Sequence, residues 1–234
     1  MNPKSAVYFL PYMNEIIFFS HILLVVGFVL GALRLGKQAL VALIALQAVF
    51  ANLFVIKQMG LFGFSVTCSD VFAIGAILGL NLLQEYYGRQ EASNAIRISF
   101  LSLLFFSAMS QIHLWYIPIP TDSVHSSFVA ILAPAPRIAL ASLGVYYIVQ
   151  KIDIRLFGWL KQFFGGKSLG VRIGLSLIVT QLIDTVLFSF FGLYGLVDSL
   201  FDIIIISFIV KCLIISCSSP LSMLSKRFVK HVPV

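Results

Sequence analysis

The sequence predicts an all-α polytopic membrane protein, with seven transmembrane helices forming a single integral domain over residues 1–234. Three observations predict it. Of the 234 residues 60% are hydrophobic and only 11% are charged, against about 25% charged in a soluble domain. So little polar surface cannot cover a globule in water. Seven apolar stretches each approach the ~20 residues that a helix needs to cross ~30 Å of hydrocarbon. The lysines and arginines, finally, fall almost wholly in alternate connections between those stretches.

The first stretch, Glu15–Leu33, follows Lys4. Its apolar run is longer than the 7–15 residues of a signal-peptide core, and no A-x-A-like cleavage site follows, so it reads as a retained anchor. The second, Gln38–Ile56, carries Asn52 at depth, and the third, Thr67–Tyr87, ends on Asn81, Gln84 and Glu85. Ser93–Ile117 is the fourth. The fifth, Ser126–Val149, is interrupted by Ala133-Pro134-Ala135-Pro136-Arg137. Each proline lacks an amide hydrogen and restricts the residue before it, so a break is expected near Pro134/Pro136. Pro136 suits the first turn of a fresh helix running past Ser142 towards Asp153. Ser126–Ala133 then becomes a half-helix or re-entrant piece, of the kind that survives in a membrane where it lines a cavity.

The sixth stretch, Val171–Gly195, is interrupted near its middle by Gln181 and Asp184, and the seventh, Asp198–Ser219, by Lys211. Between the fifth and sixth, Lys151–Gly170 is basic and aromatic, as expected of a segment lying along the cytoplasmic membrane surface. Of the 16 lysines and arginines, twelve collect on one side of a seven-crossing arrangement, and only Lys4 and Lys57 on the other. That split places the C-terminus in the cytoplasm and the N-terminus outside.

Several function classes are excluded. The net charge of +7 is spread over short loops and the C-terminus, which is a topogenic pattern and gives no nucleic-acid surface. Cys68, Cys212 and Cys217 lack C-x-x-C spacing, and His21, His113, His125 and His231 are scattered. No metal or cofactor site is therefore expected. Neither a phosphate-binding G-x-x-x-x-G-K-[ST] loop nor a G-x-S-x-G elbow occurs. The chain does not read as an enzyme.

Polar groups set inside apolar helices carry the functional signal, because a carboxylate at bilayer depth costs roughly 2.5–3.5 kcal/mol on insertion scales. Thr180 and Asp184 are four apart and share a helix face. Asp184 and Lys211 either form a structural ion pair between two helices or read a ligand. Asn52 serves as a ligand donor or as an interhelical bond. Arg137 points donors at a substrate or reaches for the outer interface. Glu85 is a ligand acceptor or sits at the water boundary.

A series of motifs in order resembles the queuosine precursor transporter family, of the vitamin uptake transporter type. They are Asn52 with Lys57 in ANLFVIK, Glu85-Tyr86-Tyr87-Gly88 in NLLQEYYGRQEA, Pro136-Arg137 with Ala141-Ser142 and Gln150…Asp153, Gln181-Leu182-Ile183-Asp184-Thr185 with Phe188, and Lys211 with Pro220-Leu221. Together they span Ala51–Leu224, with the first helix additional to a six-helix family core. Asn81 stands where family members often place an aspartate, which removes a titratable group from that position. The resemblance implies an inner-membrane importer of 7-deazaguanine bases or queuine for tRNA modification. Its partners are then the small-molecule base and the lipid bilayer, with homo-oligomer formation left open.

The residues fit that chemistry on separate grounds. A guanine-like base offers N–H donors that a carboxylate accepts, and an O6 acceptor for Arg, Lys, Asn or Gln. Without N7, a bidentate arginine grip on O6 and N7 is lost, so carboxylate-led recognition with aromatic stacking is expected. Asp184 and Glu85 are the acceptors, and Asn52, Arg137, Gln181 and Lys211 the donors. Two other readings stay open: a substrate-binding membrane subunit energised by a separate ATPase, and a non-transporting membrane scaffold.

Overall fold

The protein is described here by a computed structural model that covers residues 13–163 and 169–213. Lys4, Lys167, Cys217, Pro220-Leu221, Lys226, Arg227, Lys230, His231 and the end of the seventh predicted stretch lie outside the described residues. The helices are α1 (Met13–Leu35), α2 (Lys37–Phe54), α3 (Asp70–Tyr87), α4 (Arg89–Trp115), α5 (His125–Leu132), α6 (Ala135–Phe163) and α7 (Leu169–Phe188). A π-helix, Ser189–Leu193, continues α7, and α8 occupies residues 200–213. Helix thus occupies most of the described part of each predicted apolar stretch. Among the described residues five helical runs are long and apolar enough to cross a membrane: Met13–Leu35, Lys37–Phe54, Arg89–Trp115, His125–Leu160 and Leu175–Leu193. The protein is a predominantly helical membrane protein.

Single glycines separate the tightest helix pairs. Gly36, between α1 and α2, has φ 108°, and Gly88, between α3 and α4, has φ 91°. Side chains disfavour that backbone region, so glycine ends one helix and starts the next within one residue. Residues 133–134 form the turn between α5 and α6, yet Ala133 keeps helical angles and its amide still reaches the Val129 carbonyl at 3.0 Å. The amide of Ile138 reaches the Pro134 carbonyl at 3.1 Å, so helical bonding resumes at once.

The all-α expectation needs one correction. Gln58–Leu61 (β1) and Phe64–Thr67 (β2) form an antiparallel hairpin pairing Gln58 with Thr67 and Leu61 with Phe64. Phe62 and Gly63 both have positive φ, at 52° and 83°, the signature of a tight hairpin turn whose twist matches its strands. Leu61 and Val66 are buried beneath it. Side chains satisfy its outer backbone groups: Asn14 Nδ2 donates to the Gly60 carbonyl (2.8 Å), and the Phe62 amide donates to Glu15 Oε1 (2.9 Å). The Ser65 amide donates to Asp202 Oδ2 (3.1 Å), tying the hairpin to α8. Two four-residue strands are too short for their alternation to stand out from a loop, which is why they escape the sequence pattern.

A second difference concerns the connection after the fifth stretch. α6 runs without interruption to Phe163, so the first part of the basic, aromatic segment is helix. Lys, Gln, Leu and Arg are good helix formers, and no proline intervenes. Asp153 Oδ1 accepts from Ser176 Oγ at 2.5 Å and fastens α6 to α7.

The larger apolar core lies among α1, α2, α3 and the hairpin, with Val29, Leu40, Ile44, Leu78 and Leu82 at its centre. Gly75 and Gly79 let α2 approach α3. A methyl group at Gly79 would lie 2.8 Å from Ile44 Cγ1, and one at Gly75 would overlap Gln47 Oε1 and Val25 Cγ1. A smaller cluster of Val55, Ile138, Leu193 and Ile203 joins the end of α2 to α6, the π-helix and α8.

Candidate functional site

A cavity of about 270 Å³ lies between α2, α3, α4, α6, α7 with its π-helical continuation, and α8. α1 and α5 take no part in its wall. Val55, Leu193 and Ile203 bring the smaller apolar cluster to it, and hydroxyls, an amide, two carboxylates and an ammonium group supply its polar part. Spacing on α8 sets one whole side. Ile203, Ser207 and Lys211 recur every four residues and so form one stripe along the helix.

Lys211 Nζ lies 2.8 Å from Asp184 Oδ2 and 3.0 Å from Thr185 Oγ1. The Lys211 side chain is 16% exposed and that of Asp184 31%, so the pair is shielded but open on the carboxylate side. The interhelical ion pair thus exists, and both partners line the cavity. Thr185 Oγ1 also donates to the Gln181 carbonyl at 2.8 Å, so the backbone of Gln181 orients the hydroxyl that meets Lys211.

Asn52 stands on the α2 wall. Its Nδ2 donates to the Ala48 carbonyl at 2.9 Å, and its Oδ1 accepts from Ser142 Oγ of α6 at 3.1 Å. It is therefore an interhelical bond and a cavity group at once. Aromatic faces complete the chamber: Phe188 from α7, Phe100 from α4 and Tyr146 from α6, the last two packed edge to face with ring centres 4.8 Å apart.

Of the six residues singled out in the sequence, the cavity brings together Asn52, Asp184 and Lys211. Glu85 is exposed near the far end of α3, and the half-buried side chain of Gln181 is not part of the lining. Arg137 is also outside. Its Nε donates to the Phe191 carbonyl at 3.0 Å and a terminal nitrogen donates to the Tyr194 carbonyl at 2.7 Å. Those carbonyls belong to the π-helix and the turn after it, where the ordinary helical ladder has lapsed. Arg137 thus braces the segment that carries Ser189 and Leu193 into the cavity. Pro134 and Pro136 do not line it either.

Sequence reasoning missed Asp70. It opens α3 and is 7% exposed, with its Oδ1 and Oδ2 2.9 and 3.0 Å from Ser207 Oγ. Thr67 and Ser69 stand beside it in the lining, their hydroxyls 2.8 Å apart. An acid in the first turn of a helix ordinarily only complements the helix dipole, so nothing local marked it. The four-residue spacing of Ser207 and Lys211 was the available signal, since it extends the Lys211 face along α8.

Comparison with known proteins comes down on the same side as the motifs. Residues 67–225 match the family described as putative vitamin uptake transporter. The chain is 30% identical over 221 residues to a probable queuosine precursor transporter of Bacillus subtilis (strain 168), covering 92% of this chain and 95% of that protein. No solved structure matches it.

Proposed function

Because the chain belongs to the putative vitamin uptake transporter family, we propose that it imports a queuosine precursor, a 7-deazaguanine base or queuine, across a bacterial inner membrane. In this reading residues 1–234 form one integral domain that crosses the bilayer seven times, with the cytoplasm on the C-terminal side. The turn at Pro134/Pro136 is the break of its fifth span. The observation that carries the reading is the cavity itself. A polar chamber among apolar helices is costly unless a ligand uses it, and its volume of about 270 Å³ suits a single heterocycle rather than a large metabolite.

The base lies against Phe188 and Tyr146, where stacking contributes ~1–3 kcal/mol. Asp184 accepts from its N–H edge with Oδ1, the oxygen atom that Lys211 leaves free, while Lys211 and Asn52 donate to O6. Ser142 holds the Asn52 amide so that its carbonyl oxygen is already occupied, and the choice of donor is thereby fixed before the base arrives. Arg137 and Gln181 act through the backbone segments that they hold. Glu85 is not assigned a contact with the base.

Uptake of labelled 7-deazaguanine bases by cells without their own salvage, with and without this protein, tests the reading. Accumulation that depends on the protein is expected. Its absence, with the protein present in the membrane, overturns the reading. Accumulation only on co-expression of an ATPase would make the chain a binding subunit instead.

A further inference from the structure

Among the described residues two carboxylates face the cavity, but only one lysine does. Lys211 is committed to Asp184 at 2.8 Å, and that pair is neutral as a unit. Asp70 is more deeply buried, and its partner is the Ser207 hydroxyl, which has a single proton to give. Among the described residues no lysine, arginine or histidine forms an ion pair with it. It stands in the first turn of an 18-residue helix, where free backbone amides complement a negative charge. With both carboxylates ionised, the described lining is one positive charge short.

We propose that Asp70 is the charge-reading group of this cavity, and that the ligand it selects is a heterocycle carrying a protonated amine, in preference to a neutral one of the same shape. The inference rests on the transport reading above and goes further than it. Asp184 and Lys211 address the polar edge of the ring, and Asp70, on a different helix, addresses a cationic substituent. A neutral ligand would leave a buried carboxylate uncompensated after water is displaced, whereas a monocation closes the balance. Ser207 positions the carboxylate from one side, with its one hydroxyl proton shared between the two oxygens.

Two bases that share one ring and differ in charge provide the test: 7-aminomethyl-7-deazaguanine, a cation at neutral pH, and 7-cyano-7-deazaguanine, which is neutral. Competitive uptake by the unmodified protein should favour the aminomethyl base by about tenfold or more, the scale of one desolvated charge contact. Asp70→Asn keeps the shape and still accepts from Ser207, so it should shrink that ratio towards one. Equal uptake, or preference for the cyano base, by the unmodified protein overturns the inference and leaves the transport reading intact. The balancing charge is then a co-transported ion or proton. A ratio that survives Asp70→Asn overturns the assignment to Asp70. Uptake of neither base, nor of queuine, overturns both readings. The ratio in the unmodified protein decides the ligand's charge even where the variant fails to insert.

Discussion

The side-chain amide of Gln111 takes the place of the backbone amide that Pro136 lacks. In an unbroken helix the Leu132 carbonyl would accept from the residue four positions on, which is Pro136 and has no hydrogen to give. Gln111 Nε2, from α4, stands 3.0 Å from that carbonyl instead. The α5–α6 turn is therefore satisfied from a neighbouring helix, as broken helices in membranes require.

Gln111→Leu should leave the Leu132 carbonyl without a donor and destabilise the protein by ~1–3 kcal/mol. The thermal midpoint of the purified protein in detergent checks this. An unchanged midpoint would mean that the carbonyl finds water or lipid headgroups, and that the turn is not braced by α4.

Arg137→Ala removes two bonds to backbone carbonyls at the end of the π-helix. Because the guanidinium is exposed, about 1–2 kcal/mol of stability is expected to go, the low end for bonds from a charged donor. Uptake should fall with it, since Ser189 and Leu193 hang on that segment. Arg137→Lys should restore little, because a point charge cannot serve two carbonyls along the planar fork. Full uptake by the alanine variant at normal abundance would remove Arg137 from the mechanism.

Most of the helices were legible in the sequence, as were three residues that line the cavity, Asn52, Asp184 and Lys211, for a physical reason. Length and apolar composition define a helix locally, and a charge such as Asp184 or Lys211 stands out when everything around it is apolar. The remainder depends on contacts between distant parts of the chain. Asp70 follows Ser69 at a helix start and resembles an ordinary dipole-complementing acid, while its partner Ser207 lies 137 positions away. Arg137 was legible as unusual but not as a brace, because the carbonyls it holds exist only once α7 has slipped into a π-turn.

Gln47 offers a test of packing. It is 3% exposed in the core between α1, α2 and α3, and among the described residues neither end of its amide has a hydrogen-bond partner. Gln47→Met keeps the length of the side chain and removes the unsatisfied groups, so it should stabilise the protein by ~1 kcal/mol or more. Gly75→Ala should do the opposite by ~1–3 kcal/mol, since its methyl would meet Gln47 and Val25. A lower thermal midpoint for Gln47→Met would show that the amide is bonded in the protein as purified.

The ion pair between Asp184 and Lys211 leaves the two roles of Asp184 to be separated by a cycle of variants. Asp184→Asn strands the Lys211 ammonium beside Thr185 in a shielded wall, and Lys211→Met strands the carboxylate. Each single change should cost ~3–5 kcal/mol of stability if the pair is fully desolvated, and less here because the Asp184 side chain is 31% exposed. Changing both residues removes both charges, so stability should recover towards that of the unmodified protein. Uptake should not recover. The N–H edge of the base would then face an amide that presents one acceptor and an unwanted donor, which weakens selection by ~10² or more. Thermal midpoints and uptake, measured on the two single variants and the double variant, therefore move apart if Asp184 reads the base. Recovery of both together would make the pair a structural clamp and leave recognition of the base to the other groups of the cavity.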